Sequence, residues 1–284
     1  MNVLSLFDGM SCGQIALNRA SVKYDKYFAS EIKNHAIKVT QENFPNTIQI
    51  GDVTKIDLKK LPKIDLLIGG SPCQDFSIAN LERKGLDGNR SKLFYEYLKI
   101  KNILKPRFFL LENVKMKKDS EQQLNDYLGV KGLHINSELL SYQKRPRIYW
   151  SNIPNLTIPK DREVNFQDYK DTDYEYCKLF KVKKTPSREK MWNNGNGRNS
   201  NIGGCANVTN SKKIYCLTRK QDRSPNSGLI QFEDFCRYLT RKELEQAQTV
   251  PVGYTNSVTY NQAQDLLGDG WTVDVIAHIF KSIK

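Results

Sequence analysis

The sequence predicts an α/β fold with an open sheet, and three observations indicate this class. Short apolar runs typical of buried strands alternate with amphipathic stretches typical of helices. Several of these runs end in glycine or in a carboxylate, as strands do at the ligand-binding edge of an open α/β sheet. The chain has 284 residues, of which 39% are hydrophobic, enough for one full domain and a smaller lobe.

The first strand, turn and helix form a pattern suited to a nucleotide-like ligand. Asn2 to Phe7 is predicted to be a strand, Asp8 to Gly13 a glycine-containing turn, and Gln14 to Ala20 a short amphipathic helix. Such a turn lets backbone N–H groups approach a ligand. The pattern alone is weak, because it lacks the G-x-G-x-x-G spacing of dinucleotide-binding turns.

Acidic residues follow the next two predicted strands. The strand from Tyr24 to Ser30 ends at Glu31, which is placed to accept hydrogen bonds from a ribose, and Ile32 can pack on an adenine ring. The third strand ends at Asp52-Val53, where a carboxylate can accept from an exocyclic amine. Each carboxylate considered alone is more typical of a helix cap or a solvated turn than of a ligand contact.

Cys73 stands in a turn after a further apolar strand, Asp65 to Ile68. Gly69 and Gly70 permit a sharp exit from the sheet, and Pro72 fixes φ just before the cysteine. We therefore expect a thiol held in one place at the carboxyl edge of the sheet. Considered alone, the residue is explained better by a free cysteine in a turn.

A carboxylate is predicted beside this thiol. The strand Phe108 to Leu111 ends at Glu112, at the same edge of the sheet as Cys73. A thiol nucleophile beside a carboxyl group is a typical pair of catalytic groups. The long polar stretch from Gln74 to Arg90, which precedes a helix predicted over Ser91 to Leu104, is typical of a lid or binding loop.

Alternating polar residues join two later predicted strands, Ile135 to Leu140 and Arg147 to Trp150. In an extended segment Gln143, Arg145 and Arg147 would point to one side and offer an amide and two guanidinium groups to a phosphate or a base carbonyl. The alternative is a basic hairpin edge that discourages aggregation.

Positive charge is concentrated in one region. The net charge is +13, and Lys178 to Arg223 holds twelve Lys or Arg against two acidic residues. A bias this strong beside an enzyme-like domain favours a polyanionic partner, most simply nucleic acid, over a merely solvated face.

The cysteines and the apolar runs argue against a disulfide-bonded, a metal-binding, a secreted and a membrane protein. The six cysteines include no CxxC pair and no zinc-ligand cluster, so that we expect neither a disulfide framework nor a metal site. The start of the chain lacks a signal peptide pattern, and no apolar run approaches membrane-spanning length. We expect a soluble cytoplasmic protein.

Composition suggests three parts, with boundaries at 1–154, 155–235 and 236–284. The middle part is rich in Asn, Gly and basic residues and is predicted to be a recognition lobe, with a possible strand over Lys212 to Arg219. In the last part, Thr240 is predicted to cap a helix to Gln248, with Glu243 completing a capping box. Asn261 to Leu266 and Trp271 to Ile283 are further predicted helices, and this part is expected to pack against the first.

Taken in order, these motifs resemble those of the cytosine-5 DNA methyltransferases. They are Phe7-Asp8-Gly9 with Gly13, Glu31, Asp52, Ser71-Pro72-Cys73-Gln74, Glu112-Asn113-Val114, Gln143-x-Arg145-x-Arg147, Arg237-x-Leu239-Thr240-x-x-Glu243, Gln248-x-x-Pro251 and Gly268-Asp269-Gly270-Trp271. Ser11 and Cys12 replace the paired glycines usual in bacterial members, and Asp269 replaces a common Asn. With Trp271, this pattern is closer to the animal de novo subgroup and its small bacterial or phage relatives.

The resemblance implies a doubly wound, mostly parallel Rossmann-like sheet that binds S-adenosylmethionine, with a small inserted DNA-recognition lobe. The target cytosine would be flipped out of duplex DNA. Cys73 would add to C6 of the ring, Glu112 would protonate N3, Arg147 would bind O2 and Arg145 would help to orient it.

The expected ligand contacts follow from these motifs and from the charge distribution. Cofactor contacts are expected from Phe7, Asp8, Gly9, Met10, Ser11, Gly13, Glu31, Ile32, Asp52, Val53, Ser71, Pro72, Asp269, Gly270 and Trp271. Contacts to double-stranded DNA are expected from Gln74, Ser77, Arg90, Gln143, Lys183, Lys184, Lys212, Lys213, Arg219 and Arg223. We expect a monomer without metal or membrane attachment, and the sequence leaves a dimer open.

Three other functions fit the sequence less well. A tRNA cytosine-5 methyltransferase typically has Pro-Pro-Cys and a Cys-Phe-Thr insertion, whereas here Ser71 precedes Pro72 and that tripeptide does not occur. A non-catalytic DNA-binding homologue has no chemical need for Cys73, Glu112 and both arginines together. A nicotinamide-dependent dehydrogenase would have a different glycine turn. The recognition sequence, a partner restriction enzyme and a cellular or phage source stay open.

Overall fold

The computed structural model describes residues 1–71, 92–183, 185–186, 188–189, 197–198, 206–222, 226–232 and 234–283, with backbone alone at 197–198. The chain divides into two compact units. The first unit contains residues 1–136, 146–159 and 273–284, and the second contains residues 137–145 and 160–272. Residues 236–272 belong to the second unit, so that the predicted boundary at 235/236 differs from this division.

The first unit is built on a seven-stranded sheet. Its strands are β1 (Asn2–Leu6), β2 (Lys26–Ser30), β3 (Ile48–Gln49), β4 (Leu66–Gly69), β5 (Phe108–Val114), β6 (Leu133–Asn136) and β7 (Pro146–Ser151). The order is β3-β2-β1-β4-β5-β7-β6. Among these seven strands, β7 runs in the direction opposite to the other six. Because the chain winds outward from β1 in one direction and then in the other, the sheet is doubly wound, which confirms the predicted fold class.

Helices cover this sheet and supply part of the second unit. Those that the structure describes are α1 (Cys12–Arg19), α2 (Asn34–Asn43), α3 (Lys92–Leu104), α4 (Lys118–Leu128), α5 (Tyr174–Lys178), α6 (Arg241–Ala247), α7 (Tyr260–Asp269) and α8 (Val273–Phe280). All four residues of β4 are buried, as expected of a parallel strand covered on both faces. The closing helix α8 packs against α1 within the first unit. No helix in the described ranges is long and apolar enough to cross a membrane.

Some predicted elements have different bounds. β5 runs on to Val114, so that Glu112 lies within the strand instead of after it. β6 ends at Asn136 and a 3-10 turn, Ser137–Leu139, follows. The segment from Lys212 to Arg219 makes a single bridge, Gln143 to Ile214, in place of a strand. These differences arise where pairing with a neighbouring strand, which local sequence does not encode, decides where an extended segment ends.

The second unit has short strands in the described ranges. They are β8 (Gly197–Arg198), β9 (Ala206–Asn207), β10 (Ile230–Phe232) and β11 (Phe235–Arg237).

A buried ion pair between Arg237 and Glu243 stabilises the second unit. Arg237 at the end of β11 donates to both carboxylate oxygens of Glu243, over 2.7 and 2.8 Å, and both side chains are fully buried. Glu243 also accepts from the Asp171 and Thr240 backbone N–H groups, and the capping box predicted for α6 is confirmed.

We expect Glu243→Gln to lower the free energy of unfolding by about 3 to 5 kcal/mol, because it leaves the Arg237 guanidinium buried without a counter-charge. Glu96→Gln is the matched control, since Glu96 pairs with Lys99 at an exposed site and should cost under about 1 kcal/mol. Urea unfolding followed by circular dichroism measures both. Equal urea midpoints for the two variants would contradict the role of the pair.

Candidate active site

The turn after β1 has an unusual backbone. Phe7, Gly9 and Ser11 lie in the left-handed region, with φ of 58°, 60° and 57°. Non-glycine residues are uncommon there, and each costs about 1 to 3 kcal/mol unless its surroundings hold it in place. Ser11 thus adopts the conformation that a glycine takes readily, which explains how the chain keeps this turn without the paired glycines.

Glu31 holds the turn from the end of β2. Its Oε2 accepts from the Gly9 N–H over 2.8 Å, and its Oε1 accepts from the N–H groups of Ile32 and Lys33 over 2.8 and 2.9 Å. A carboxylate has about four acceptor sites, so these three bonds leave capacity for another donor. Ile32 beside it is 71% exposed, a large apolar side chain open to a flat ligand.

Asp8 is held by hydroxyl groups in the same turn. The Tyr27 hydroxyl donates to its Oδ1 over 2.7 Å, and the Ser11 hydroxyl donates to its Oδ2. Loss of hydration on burial raises the pKa of Asp8 to about 6, although hydrogen bonds from Ser11, Ser5 and Tyr27 act in the opposite direction. The turn therefore contains a carboxyl that changes charge just below neutral pH.

Asp52 caps the 3-10 turn Val53–Lys55. Its Oδ1 accepts from the Thr54 N–H and hydroxyl over 2.9 and 2.8 Å, and these bonds lower the pKa of Asp52. The alternative interpretation as a helix cap is therefore confirmed, while the contact with an exocyclic amine stays a prediction. Val53 lies in the hydrophobic core.

Four other predicted cofactor residues in the first unit are also buried. They are Met10, Ser11, Gly13 and Ser71.

The structure brings two predicted catalytic side chains together. Arg147 Nε lies 2.8 Å from Glu112 Oε1, and both side chains are largely buried. The pair forms because β5 and β7 are antiparallel neighbours, in which Arg147 is opposite Val114 and Glu112 is opposite Tyr149. A charge-assisted bond in a site with little water fixes both groups at the end of β5.

Asn113 has a role that the sequence analysis missed. Its side chain is buried, and Nδ2 lies 3.2 Å from Ser71 Oγ and 3.5 Å from the Ser71 carbonyl. The amide thereby anchors the residue two positions before Cys73 to the strand that carries Glu112. An asparagine directly after the candidate acid was the available signal.

Some predicted site residues lie outside the described residues. They are Pro72, Cys73, Gln74, Ser77, Arg90, Lys184 and Arg223. Their assignments stay predictions, including the lid predicted over Gln74 to Arg90.

Gln143 and Arg145, in the second unit, do not point to an open face as the sequence predicts. Gln143 is fully buried: its amide donates to Ala247 O and Gln248 Oε1, and its Oε1 accepts from Leu217 N. It does not offer an amide to DNA as predicted. Arg145 is 3% exposed and donates to carbonyl groups of this unit instead of pointing to an open face.

The predicted DNA-binding cations of this unit fall into two groups. Lys183 and Lys212 are exposed, as expected of phosphate contacts. Lys213 instead donates to the carbonyls of Glu138 and Ser141 over 2.6 and 3.1 Å, and Arg219 pairs with Asp265. Lys213 is therefore used within the protein, which corrects its predicted role, whereas the Arg219 side chain is 49% exposed and its contact with DNA stays a prediction.

The predicted cofactor residues Asp269, Gly270 and Trp271 also lie in the second unit, where α7 ends. The Gly270 N–H donates to Leu266 O over 2.7 Å, and Asp269 Oδ2 lies 3.6 Å from Arg219 Nε. Within the described ranges, no group of three or more His, Cys, Asp or Glu side chains is arranged to hold a metal ion.

Comparison with known proteins identifies related sequences. The model of the C-5 cytosine-specific DNA methylase family matches residues 1–284. The orphan methyltransferase M.Rho11sI of Bacillus phage rho11s is 38% identical over 177 residues, 58% of this chain and 35% of that relative. The type II methyltransferase M.NgoBV of Neisseria gonorrhoeae is 34% identical over 56% of this chain and 39% of its own length. The matched segments thus span little more than a third of these relatives.

A solved structure shows the same fold over the full chain. The Entamoeba histolytica methyltransferase EhMeth superposes with a TM-score of 0.77 at 17% identity, covering 100% of this chain and 99% of that one.

The raised pKa of Asp8 predicts a pH-dependent stability. Since its pKa rises from 3.8 to about 6 on folding, the native state binds this proton more tightly than the unfolded state. The stabilisation is complete below about pH 4 and is lost as the pH rises through 6, a change of roughly 3 kcal/mol.

Asp8→Asn should therefore remove this component, so that the difference in unfolding free energy between wild type and variant falls between pH 4 and pH 7. Urea unfolding at several pH values measures it. Asn165→Ala, which removes a cap without removing a titratable group, is the control and should lower the unfolding free energy by a similar amount at each pH. Parallel pH profiles for wild type and Asp8→Asn would contradict the prediction.

Proposed function

The chain belongs to the C-5 cytosine-specific DNA methylase family, and from this membership we propose that it transfers a methyl group from S-adenosylmethionine to C5 of a flipped-out cytosine in duplex DNA. One observation supports this most directly: the Glu112–Arg147 pair lies at the end of the strand whose next residue, Asn113, anchors Ser71. An acid, a cation and the segment leading to a cysteine are thereby gathered at one sheet edge.

The turn after β1 suits S-adenosylmethionine. Glu31 would accept from the ribose hydroxyls with its remaining acceptor capacity, and the exposed Ile32 would pack on the adenine. At Gly9 no heavy atom of the described residues beyond its two chain neighbours lies within 4 Å of the position that a Cβ would take. When bound, the cofactor would supply an electrophilic methyl group.

The chain's own residues would activate the base. The Cys73 thiolate would form a bond to C6, which is feasible only if the ring accepts the resulting charge. Glu112 would take up a proton from solvent as the base binds and place it on N3, and Arg147 would hold O2, so that both groups act on charge developing in the ring. Their ion pair keeps the two side chains side by side, and N3 and O2 are likewise neighbours on one edge of the base.

Methyl transfer and release of the enzyme would follow from this adduct. Sulfur's electron pair would form the S–C6 bond and displace the C5–C6 π pair, which makes C5 nucleophilic. C5 would bond to the methyl carbon, whose bond to the cofactor's sulfur breaks with the electron pair staying on that sulfur. A base would then remove the C5 proton, the electrons of the C5–H bond would restore the C5–C6 double bond, the thiolate would leave, and the proton on N3 would return to Glu112.

Exposed lysines of the second unit would provide sequence-independent DNA affinity. Lys183 and Lys212 are exposed in the region that holds most of the positive charge. Phosphate neutralisation by such side chains releases counterions and makes the affinity salt-dependent.

The mechanism is tested by trapping. Duplex DNA containing 5-fluorocytosine should form a covalent adduct with the wild-type protein in the presence of S-adenosylmethionine, because fluorine at C5 blocks the elimination that frees the sulfur. Cys73→Ser should form no adduct and transfer no methyl group, whereas Cys177→Ser, at a buried cysteine that contacts the Asp171 carbonyl, should retain both. Peptide mapping of the adduct to another cysteine would reassign the nucleophile. Methyl transfer to RNA with none to DNA would favour the tRNA-modifying alternative.

The DNA contacts are tested by salt dependence. Lys183→Gln with Lys212→Gln should make the plot of log affinity against log salt shallower by roughly 0.9 for each lysine that contacts a phosphate. Fluorescence anisotropy with duplex DNA measures this slope. Lys63→Gln is the control. Lys63 is exposed, but it precedes the amino-terminal end of β4, whereas the predicted catalytic residues follow the carboxyl-terminal ends of the strands. An unchanged slope in the double variant would show that these lysines face solvent.

A further inference from the structure

We propose that Arg145 is a positioning residue that holds the Gly268–Trp271 turn for cofactor binding, instead of contacting the target cytosine. The inference rests on the proposed function, because it concerns the same cofactor. The guanidinium group of Arg145 points at backbone carbonyls of the second unit. One nitrogen donates to Leu217 O over 3.0 Å and approaches Cys216 Sγ at 3.3 Å, and the other donates to Gly268 O and Gly270 O over 3.0 and 2.9 Å.

These carbonyls are the groups that most need a donor. Gly268 and Gly270 stand at the C-terminal end of α7, where the last carbonyls of a helix have no partner within the helix. The guanidinium is planar, permanently charged and forked, so that one side chain bridges several carbonyls. A lysine at this position would present one point charge and could not span the same set.

Three more buried side chains reinforce the same turn. Gln248 donates to Leu267 O and Gly270 O over 2.5 and 3.0 Å, and it accepts from Gln143 and from Thr272, over 3.2 and 2.8 Å. Gln143 in turn accepts from Leu217 N, whose carbonyl is bonded to Arg145. We call Gln143, Arg145, Gln248 and Thr272 the polar hub, and each is at most 3% exposed.

Backbone packing shows that the turn has little freedom. A Cβ added at Gly268 would lie 2.4 Å from both Thr218 C and Arg219 N, so that two backbone segments touch there. Arg219 also lies across the end of α7, paired with Asp265 and 3.6 Å from Asp269. The turn is therefore clamped to the segment 217–219, and the polar hub is the main set of donors that keeps it there.

The position of Trp271 follows from this clamp. Asp269, Gly270 and Trp271 form the motif assigned to cofactor binding, and the carbonyl in its middle accepts from both Arg145 and Gln248. If Arg145 no longer bridged the carbonyls, the turn would sample other conformations and bind the cofactor less tightly. A residue that contacted the cytosine would instead affect the chemical step.

The test compares Arg145→Lys with two matched arginine variants. Titration calorimetry with S-adenosylmethionine and no DNA should show affinity about tenfold weaker for Arg145→Lys, the effect of losing a hydrogen bond to a charged group. The rate at saturating cofactor should stay within about threefold of wild type. Arg147→Lys should show the opposite split, with unchanged cofactor affinity and a lower rate.

Arg241→Lys controls for a general loss of structure. Arg241 also donates to backbone carbonyls of the second unit, those of Thr255 and Val258, but away from the turn. Arg241→Lys should lower the melting temperature about as much as Arg145→Lys does, and it should leave the affinity for S-adenosylmethionine unchanged. Thr272→Val is a milder change in the polar hub that retains the side-chain shape, and about threefold weaker binding is expected if Arg145→Lys does not fold.

The outcomes separate this inference from the proposed function. Wild-type protein that does not bind S-adenosylmethionine would overturn the proposed function. If wild type binds it and the Arg145→Lys and Thr272→Val variants bind equally well, only the role of Arg145 is overturned. Arg145→Lys protein with normal cofactor affinity and a lost 5-fluorocytosine adduct would show that Arg145 contacts the base.

Discussion

The side-by-side alignment of three parallel strands, β1, β4 and β5, is the constraint on which the candidate site depends. Leu6 is paired with Gly69, and Gly69 is paired with Leu111, so that the three strands end at one level. The glycine turn, Ser71 and Glu112 continue from these three ends. Strands are added on one side of β1 up to β3 and on its other side from β4, and an open α/β sheet has room for a ligand at the carboxyl end of the strands where this order changes.

The one antiparallel strand completes this edge. β7 enters between β5 and β6 in the opposite direction, so that its first residues lie beside the last residues of β5. A parallel strand in this place would bring its final residues to the edge and carry Arg147 away from Glu112. The cation and the carboxylate thus meet because of strand direction, and Asn113 between them in sequence connects the same strand end to Ser71.

The second unit uses cations to satisfy its own backbone. Arg145, Arg241 and Lys213 all donate to carbonyl oxygens, and Arg237 neutralises Glu243 in a fully buried pair. Short strands and long connections leave many carbonyls without a ladder partner, and a buried carbonyl without a donor is costly. Part of the positive charge of this region is therefore structural, and the exposed lysines account for the part available to a polyanion.

The sequence by itself determined the order of the seven strands in the first unit and the capping box of α6, and its motifs predicted that Glu112, Arg145 and Arg147 belong to one site. These features follow from local periodicity, from cap chemistry and from the motifs. Only the tertiary structure decided which of the two arginines pairs with Glu112. It placed Arg147 against the carboxylate and turned Gln143 and Arg145 toward the carbonyls of the second unit. The alternation of an extended segment gives each side chain a direction, but the partner depends on which distant segment packs there. Leu217, Gly268 and Gly270 lie tens of residues away in the chain, and no local pattern encodes their approach.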